Sequence, residues 1–117
     1  MTYEPDTEQA QLVENMMYLM TVLDQSETGL PMLVFVSPKD GARHDVRIKV
    51  NPTHGPHMDI CNASVGVRPV PEVKEGTLSG KDREAVFEWI ELNQDVLVRY
   101  WNYEINTTRL MRDLQII

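Results

Sequence analysis

The sequence predicts an α+β domain: a small, mainly antiparallel sheet of three to four strands, with an N-terminal helix and a long C-terminal helix packed on one face. Three observations carry that reading. Apolar residues recur at steps of three and four near the N-terminus and again after Lys81, the spacing of a helix that buries one side. Between those stretches, short β-branched runs alternate with a period of two and are cut by Pro and Gly. The 117 residues, 42% apolar and 25% charged, suit one buried core and not two. A single domain over 1–117 follows, with 1–30 as an N-terminal helical extension and 31–117 as sheet plus C-terminal helix.

Asp6 or Thr7 can cap the first helix, and Leu12, Val13, Met16, Met17, Met20 and Leu23 then form its stripe to about Gln25. Core filling is the ordinary meaning of such a stripe, although the thioethers of Met16, Met17, Met20 and Met32 would also suit an adaptable docking face. After Ser26 to Pro31 the run Met32 to Ser37 is short and β-branched, hence a strand. Pro38-Lys39-Asp40-Gly41 reads as a tight turn, and Ala42 to Val50 as the returning strand of a hairpin. On that strand His44, Val46, Ile48 and Val50 share the apolar side, and Arg43, Asp45, Arg47 and Lys49 the other. The position of His44 predicts a core or edge histidine.

Asn51 to Pro56 is expected to end the strand, because its prolines remove ladder donors. A further strand resumes at Met58 to Ala63, with Met58 and Ile60 inward, and an edge or bulged segment follows through Val65, Val67 and Val70. Glu72 to Leu78 returns the chain to the long helix. Ser79 caps that helix, which runs from Lys81 to about Tyr103 with Trp89, Asn93, Leu97 and Trp101 at steps of four and Val86, Ile90, Val96 and Tyr100 beside them. An amide at Asn93 within an apolar stripe needs partners, from backbone or a second chain. The tail from Arg109 to Ile117 either docks on the sheet or pairs with another subunit.

No stretch approaches the roughly 18 uncharged apolar residues of a membrane span, and the first residues carry acid where a signal peptide carries base, so a cytoplasmic location without membrane association is expected. Cys61, the only cysteine, precludes an internal disulfide. The net charge of −7 gives no overall attraction for phosphate backbones. Nucleic-acid binding would need a local basic face, for which Arg43, Arg47 and Lys49 are the candidates, against the ordinary reading of a solvated strand face.

Side chains with chemistry cluster at one bend, Val50 to Ile60. His54 and His57, with Asp59, Cys61 and His44 nearby in sequence, have atoms that suit zinc, or His54, His57 and Asp59 could form an acid–base set. One His-x-x-His in a turn is a nonspecific zinc signature, and histidines that cap backbone groups or face solvent are the competing reading. No cofactor or metal is expected, and no nucleophile signature or phosphate-binding glycine loop is present.

The stretch His54-Gly55-Pro56-His57-Met58-Asp59-Ile60, preceded by Val46 to Val50, resembles the strand-turn-strand signature of the bacterial domain of unknown function 4160. Glu75-Gly76-Thr77-Leu78 and the helix bearing Val86, Trp89, Asn93, Leu97 and Trp101 are similar to that family's Gly-x-Leu step and closing helix, so the resemblance spans about residues 42 to 102. The chain departs at Asp59, where the family has a further His, and at Asn62-Ala63, where it has Tyr-Gly; the helix over 7–25 has no counterpart in its short members. The resemblance implies a small α+β fold and membership of toxin–antitoxin-like gene pairs, with no established activity, and its histidine motif maps onto His54 and His57. The expected function is therefore that of a protein-interaction or regulatory component of a toxin–antitoxin-like pair, whose partner is another protein or a second copy. The alternative is a metal- or histidine-dependent enzyme acting on nucleic acid, with His54 and His57 as metal ligands or an acid–base pair, Asp59 assisting, and Arg47 or Lys49 holding phosphate.

Overall fold

A computed structural model describes residues 20–56 and 62–117. In chain order the elements are β1 (Thr21–Leu23), α1 (Gln25–Thr28), β2 (Met32–Val36), β3 (Arg47–His54), β4 (Ala63–Gly66), β5 (Glu72–Glu75), α2 (Gly80–Trp101) and α3 (Thr107–Asp113). The strands form one five-stranded sheet in the order β1-β2-β3-β4-β5, every neighbouring pair antiparallel. The α+β class is as the sequence predicts, with more strands than the three to four expected.

β1 is a correction to the N-terminal helix. Thr21 to Leu23 pair with Val36 to Val34, and Asp24 is extended at φ −101°, ψ −177°, so a helix cannot continue through it to Gln25. The competing force is tertiary: Leu23 is fully buried, and the Thr21 hydroxyl meets the Tyr100 hydroxyl at 3.2 Å. Asp24 instead starts the short α1 through a capping box with Glu27. The expected helical residues 7–19 lie outside the described part, as do Met16, Met17 and the strand start at Met58 and Ile60.

β2 and β3 form the expected hairpin, but its strands end elsewhere than the sequence pattern suggests. Asp40 and Gly41 both have positive φ, 41° and 76°, and the Ala42 N–H donates to the Lys39 carbonyl at 2.8 Å, so the Asp-Gly turn is present. It sits inside a longer connection, and β3 begins only at Arg47. The loop backbone bonds to the end of α2 in place of a strand: the Lys39 N–H donates to the Trp101 carbonyl at 3.0 Å and the Asp40 N–H to the Tyr103 hydroxyl at 2.8 Å. At its far end β3 continues through Asn51-Pro52-Thr53 to His54. The register slips there, from Val34↔Val50 to Met32↔His54, so Pro52 falls in a bulge, where a missing donor is tolerated.

The alternation on β3 places Ile48 and Val50 in the core and leaves Lys49 exposed. β4, expected as an edge or bulged segment, is internal and carries a register shift between Ser64 and Val65, as the bulged alternative requires; β5 is the edge strand. Val34, Val36, Ile48, Val50 and Val65 pack in one cluster with Val86, Trp89, Ile90, Leu97 and Trp101 of α2, which places the long helix over one sheet face as predicted. Ser79 caps α2 by accepting the Asp82 N–H, and Asp82 in the first turn and Arg99 in the last each suit the helix dipole.

Asn93, 1% exposed, holds the tail against the helices and not against the sheet. Its amide nitrogen donates to the Trp89 and Gln115 carbonyls, each at 3.0 Å, and its oxygen accepts the Gln115 N–H at 2.7 Å. The Ile117 N–H reaches the Thr28 carbonyl at 2.9 Å. The tail is thus fastened to α2 and α1 by backbone hydrogen bonds. Replacing Asn93 by Leu strands the Gln115 N–H and carbonyl, so N93L should lose about 1–3 kcal/mol in urea unfolding and make residues 114–117 protease-sensitive; a loss under about 0.5 kcal/mol with an intact tail would contradict the tether.

Candidate functional site

A cavity of about 220 Å³ lies where the 37–46 loop, the second sheet face and the end of α2 meet. Strand periodicity builds its sheet wall. Phe35, Arg47, Lys49 and Ser64 all line it, and Lys49 is the direct cross-strand partner of both Phe35 and Ser64. Phe35 is buried yet belongs to no part of the cluster beneath α2, as expected for the opposite face. The loop adds Lys39, Asp40 and His44, and α2 adds Trp101.

Charge is concentrated there against the balance of the whole chain. Lys39, Arg47 and Lys49 face one lining carboxylate, Asp40, in a protein whose net charge is −7. Arg47 is 24% exposed and lies 3.7 Å from the Glu75 carboxylate, which is itself 75% exposed. Among the described residues no carboxylate lies within ion-pair distance of Lys39 or Lys49. Such a concavity concentrates anions more effectively than the same cations spread over a convex surface.

His44 is a correction: it is exposed on the loop and not on the apolar strand face, because β3 starts three residues later. Its ring lies 5.6 Å from that of Trp101 at an interplanar angle of 30°. Its Nδ1 donates to the Asp45 carbonyl at 2.8 Å, so Nε2 is the nitrogen left for a ligand. Asp45 clamps this loop to the next one through two bonds from Arg68, Nε at 2.9 Å and Nη2 at 2.8 Å. That bidentate guanidinium holds the Asp45 carboxyl below the usual carboxylate range and raises Arg68 in turn.

The residues singled out at the bend are placed differently. His54 ends β3, and its Nε2 lies 2.9 Å and 3.0 Å from the two carboxylate oxygens of Asp82 in the first turn of α2. The imidazole, 57% exposed, thus ties the bend to the helix start. His57, Asp59 and Cys61 lie outside the described residues. Among those described, no group of three or more His, Cys, Asp and Glu is arranged to hold a metal ion. His54 stands five residues beyond Lys49 and seven beyond Arg47, roughly 16 and 23 Å along a strand. A phosphate held by those cations would not lie at His54. The expected cation row is also shorter than read: Arg43 is on the loop and lines no part of the cavity, while Lys39, which a turn reading passes over, does.

Comparison with protein-family models, with curated proteins and with solved structures finds no match for this chain. No helix among the described residues is long and apolar enough to cross a membrane.

The loop clamp predicts a pH signature. Because the folded Asp45 carboxyl titrates below its unfolded value, the clamp's contribution is complete above the ordinary Asp range, about pH 3.9, and is lost as pH falls through the folded midpoint. Carbon-detected NMR titration should show the Asp45 midpoint depressed in the parent and restored toward the ordinary value in Arg68→Met; equal midpoints would show that Arg68 does not hold it.

Proposed function

We propose that this chain is a regulatory binding component, of the kind found in toxin–antitoxin-like pairs, and that it recognises an anionic group at the cavity beside Lys39, Arg47 and Lys49. One observation carries the reading: three cations with one facing carboxylate converge on an aromatic-walled concavity in an otherwise acidic protein. The family resemblance over residues 42 to 102 supplies the setting of a paired regulatory component. Recognition here is noncovalent. The lysines provide long-range attraction, Arg47 provides a planar fork for oxygen atoms, and the Ser37 and Ser64 hydroxyls can complete the coordination of an oxyanion.

Geometry favours this over catalysis on nucleic acid by the bend histidine. His54 is engaged by Asp82 and removed along β3 from the cations that would hold a phosphate. The cationic wall and the imidazole therefore belong to two places.

Titration of the full chain with inorganic phosphate, followed by tryptophan fluorescence, should give saturable binding that weakens as salt rises through the range where the Debye length shrinks from about 10 to 3 Å. Lys49→Glu should lower the affinity at least about tenfold, the scale of one charged hydrogen bond, and His54→Ala should leave it unchanged. Binding indifferent to Lys49→Glu would remove the cavity from the account.

A further inference from the structure

Resting on that reading, we infer that Glu75 decides which anion the cavity takes: it is the resting partner of Arg47, it yields to a compact oxyanion carrying two charges, and it turns away a chain of singly charged phosphodiesters. The first observation is what Arg47 lacks. Its side chain is only 24% exposed, yet among the described residues no acceptor lies within hydrogen-bond distance of its guanidinium. Its one ion pair is the approach to the Glu75 carboxylate at 3.7 Å, too long for a hydrogen bond. A closer oxyanion can engage the guanidinium fork through two parallel bonds, which the resting contact does not.

The sheet register says where Glu75 stands. Lys49 is opposite Ser64 and Ser64 is opposite Glu75, so the three form one row across β3, β4 and β5, with Glu75 at the sheet edge. Arg47, opposite Gly66, is in the adjoining row. The Glu75 side chain is 75% exposed and its contact is loose, so releasing Arg47 gives up only the small stabilisation of an exposed pair. Lys39, Arg47 and Lys49 then face Asp40 alone, which leaves two net positive charges for one bound group. A doubly charged oxyanion balances them, and a single phosphodiester does not.

Carboxylates also bracket the cations. On β5, beyond Arg47, stand Glu75 and Glu72, and Glu72 already holds the Lys74 ammonium at 3.0 Å. The Lys74 stem lies over Gly66, where an added Cβ would come within 2.8 Å of its Cε, so the sheet beside Arg47 is covered on that side. On the loop stand Asp40 and Asp45, the latter 54% exposed. A phosphodiester chain with one group between Arg47 and Lys49 carries its next groups toward one of these sets, a like-charge juxtaposition that disfavours it. A terminal phosphate, free or as a monoester, has no such continuation.

Isothermal titration of the full chain at pH 8, where a phosphate monoester carries both charges, compares inorganic phosphate, methyl phosphate, dimethyl phosphate and decathymidylate. Inorganic and methyl phosphate should each bind at least tenfold more tightly than dimethyl phosphate. Glu75→Gln should tighten methyl phosphate about two- to fivefold, the scale of one exposed ion pair, and should let decathymidylate compete with it at least fivefold better than in the parent. Carbon-detected NMR of the parent supplies a readout independent of any variant: saturating methyl phosphate should move the Glu75 carboxyl and Arg47 Nε signals together. Equal affinity for methyl and dimethyl phosphate, decathymidylate that competes as well against the parent as against Glu75→Gln, or a Glu75 carboxyl signal unmoved at saturation would overturn this role of Glu75 and leave anion recognition standing. No binding of any anion would overturn both.

Discussion

A five-stranded sheet has two faces, and one helix of 22 residues covers one of them. That constraint arranges the rest of the molecule. The covered face takes the branched aliphatics of β2, β3 and β4 together with Trp89, which is fully buried. The indole N–H of Trp89 has no acceptor among the described residues, a cost of about 1–3 kcal/mol that burial of the ring must outweigh. With apolar residues committed to one side, strict alternation sends Arg47 and Lys49 to the other, beside Phe35 and Ser64. The polar chemistry of the sheet is a consequence of where the helix lies.

The same helix then finishes the cavity. Its last residue, Trp101, offers the backbone carbonyl that holds Lys39 and the ring against which His44 rests. Beyond it, the Tyr103 hydroxyl accepts from the Asp40 N–H. The loop after β2 is therefore shaped by the helix end as well as by its own Asp-Gly turn. Arg68 and Asp45 fasten its other end. Gln94 of α2 donates to the Val67 and Pro69 carbonyls on either side of Arg68, so both anchors lead back to the same helix. Burial, loop geometry and site electrostatics are linked through α2.

Much of the scaffold was legible in the sequence because it depends on periodicity. The stripe of α2, its Ser79 cap, the inward Ile48 and Val50 and the need of Asn93 for backbone partners are local patterns that the structure repeats. What misled was the contest between local pattern and tertiary pairing. Leu23 fits a helical stripe and Thr21 falls within the expected helix, yet pairing with β2, and for Thr21 contact with Tyr100, make them a strand. Pro52 argues for a strand end, yet a bulge absorbs it. The site was partly legible: Arg47 and Lys49 were readable as one face. Phe35 joins them through the register of the β2–β3 hairpin, and Lys39, His44 and Trp101 only through loop docking and a long-range crossing, which no spacing rule reports. Likewise, nothing near His54 in sequence points to Asp82, 28 residues away.

The proposed ligand site is the concavity beside β2 and β3, and not the histidine bend. Two-dimensional amide NMR of the full chain titrated with inorganic phosphate separates the two places. Binding at the concavity gives shifts that saturate together and are confined to residues 35–49, Ser64 and the end of α2 around Trp101. Shifts centred on His54, Gly55 and the start of α2 around Asp82, with the 35–49 segment silent, would contradict it.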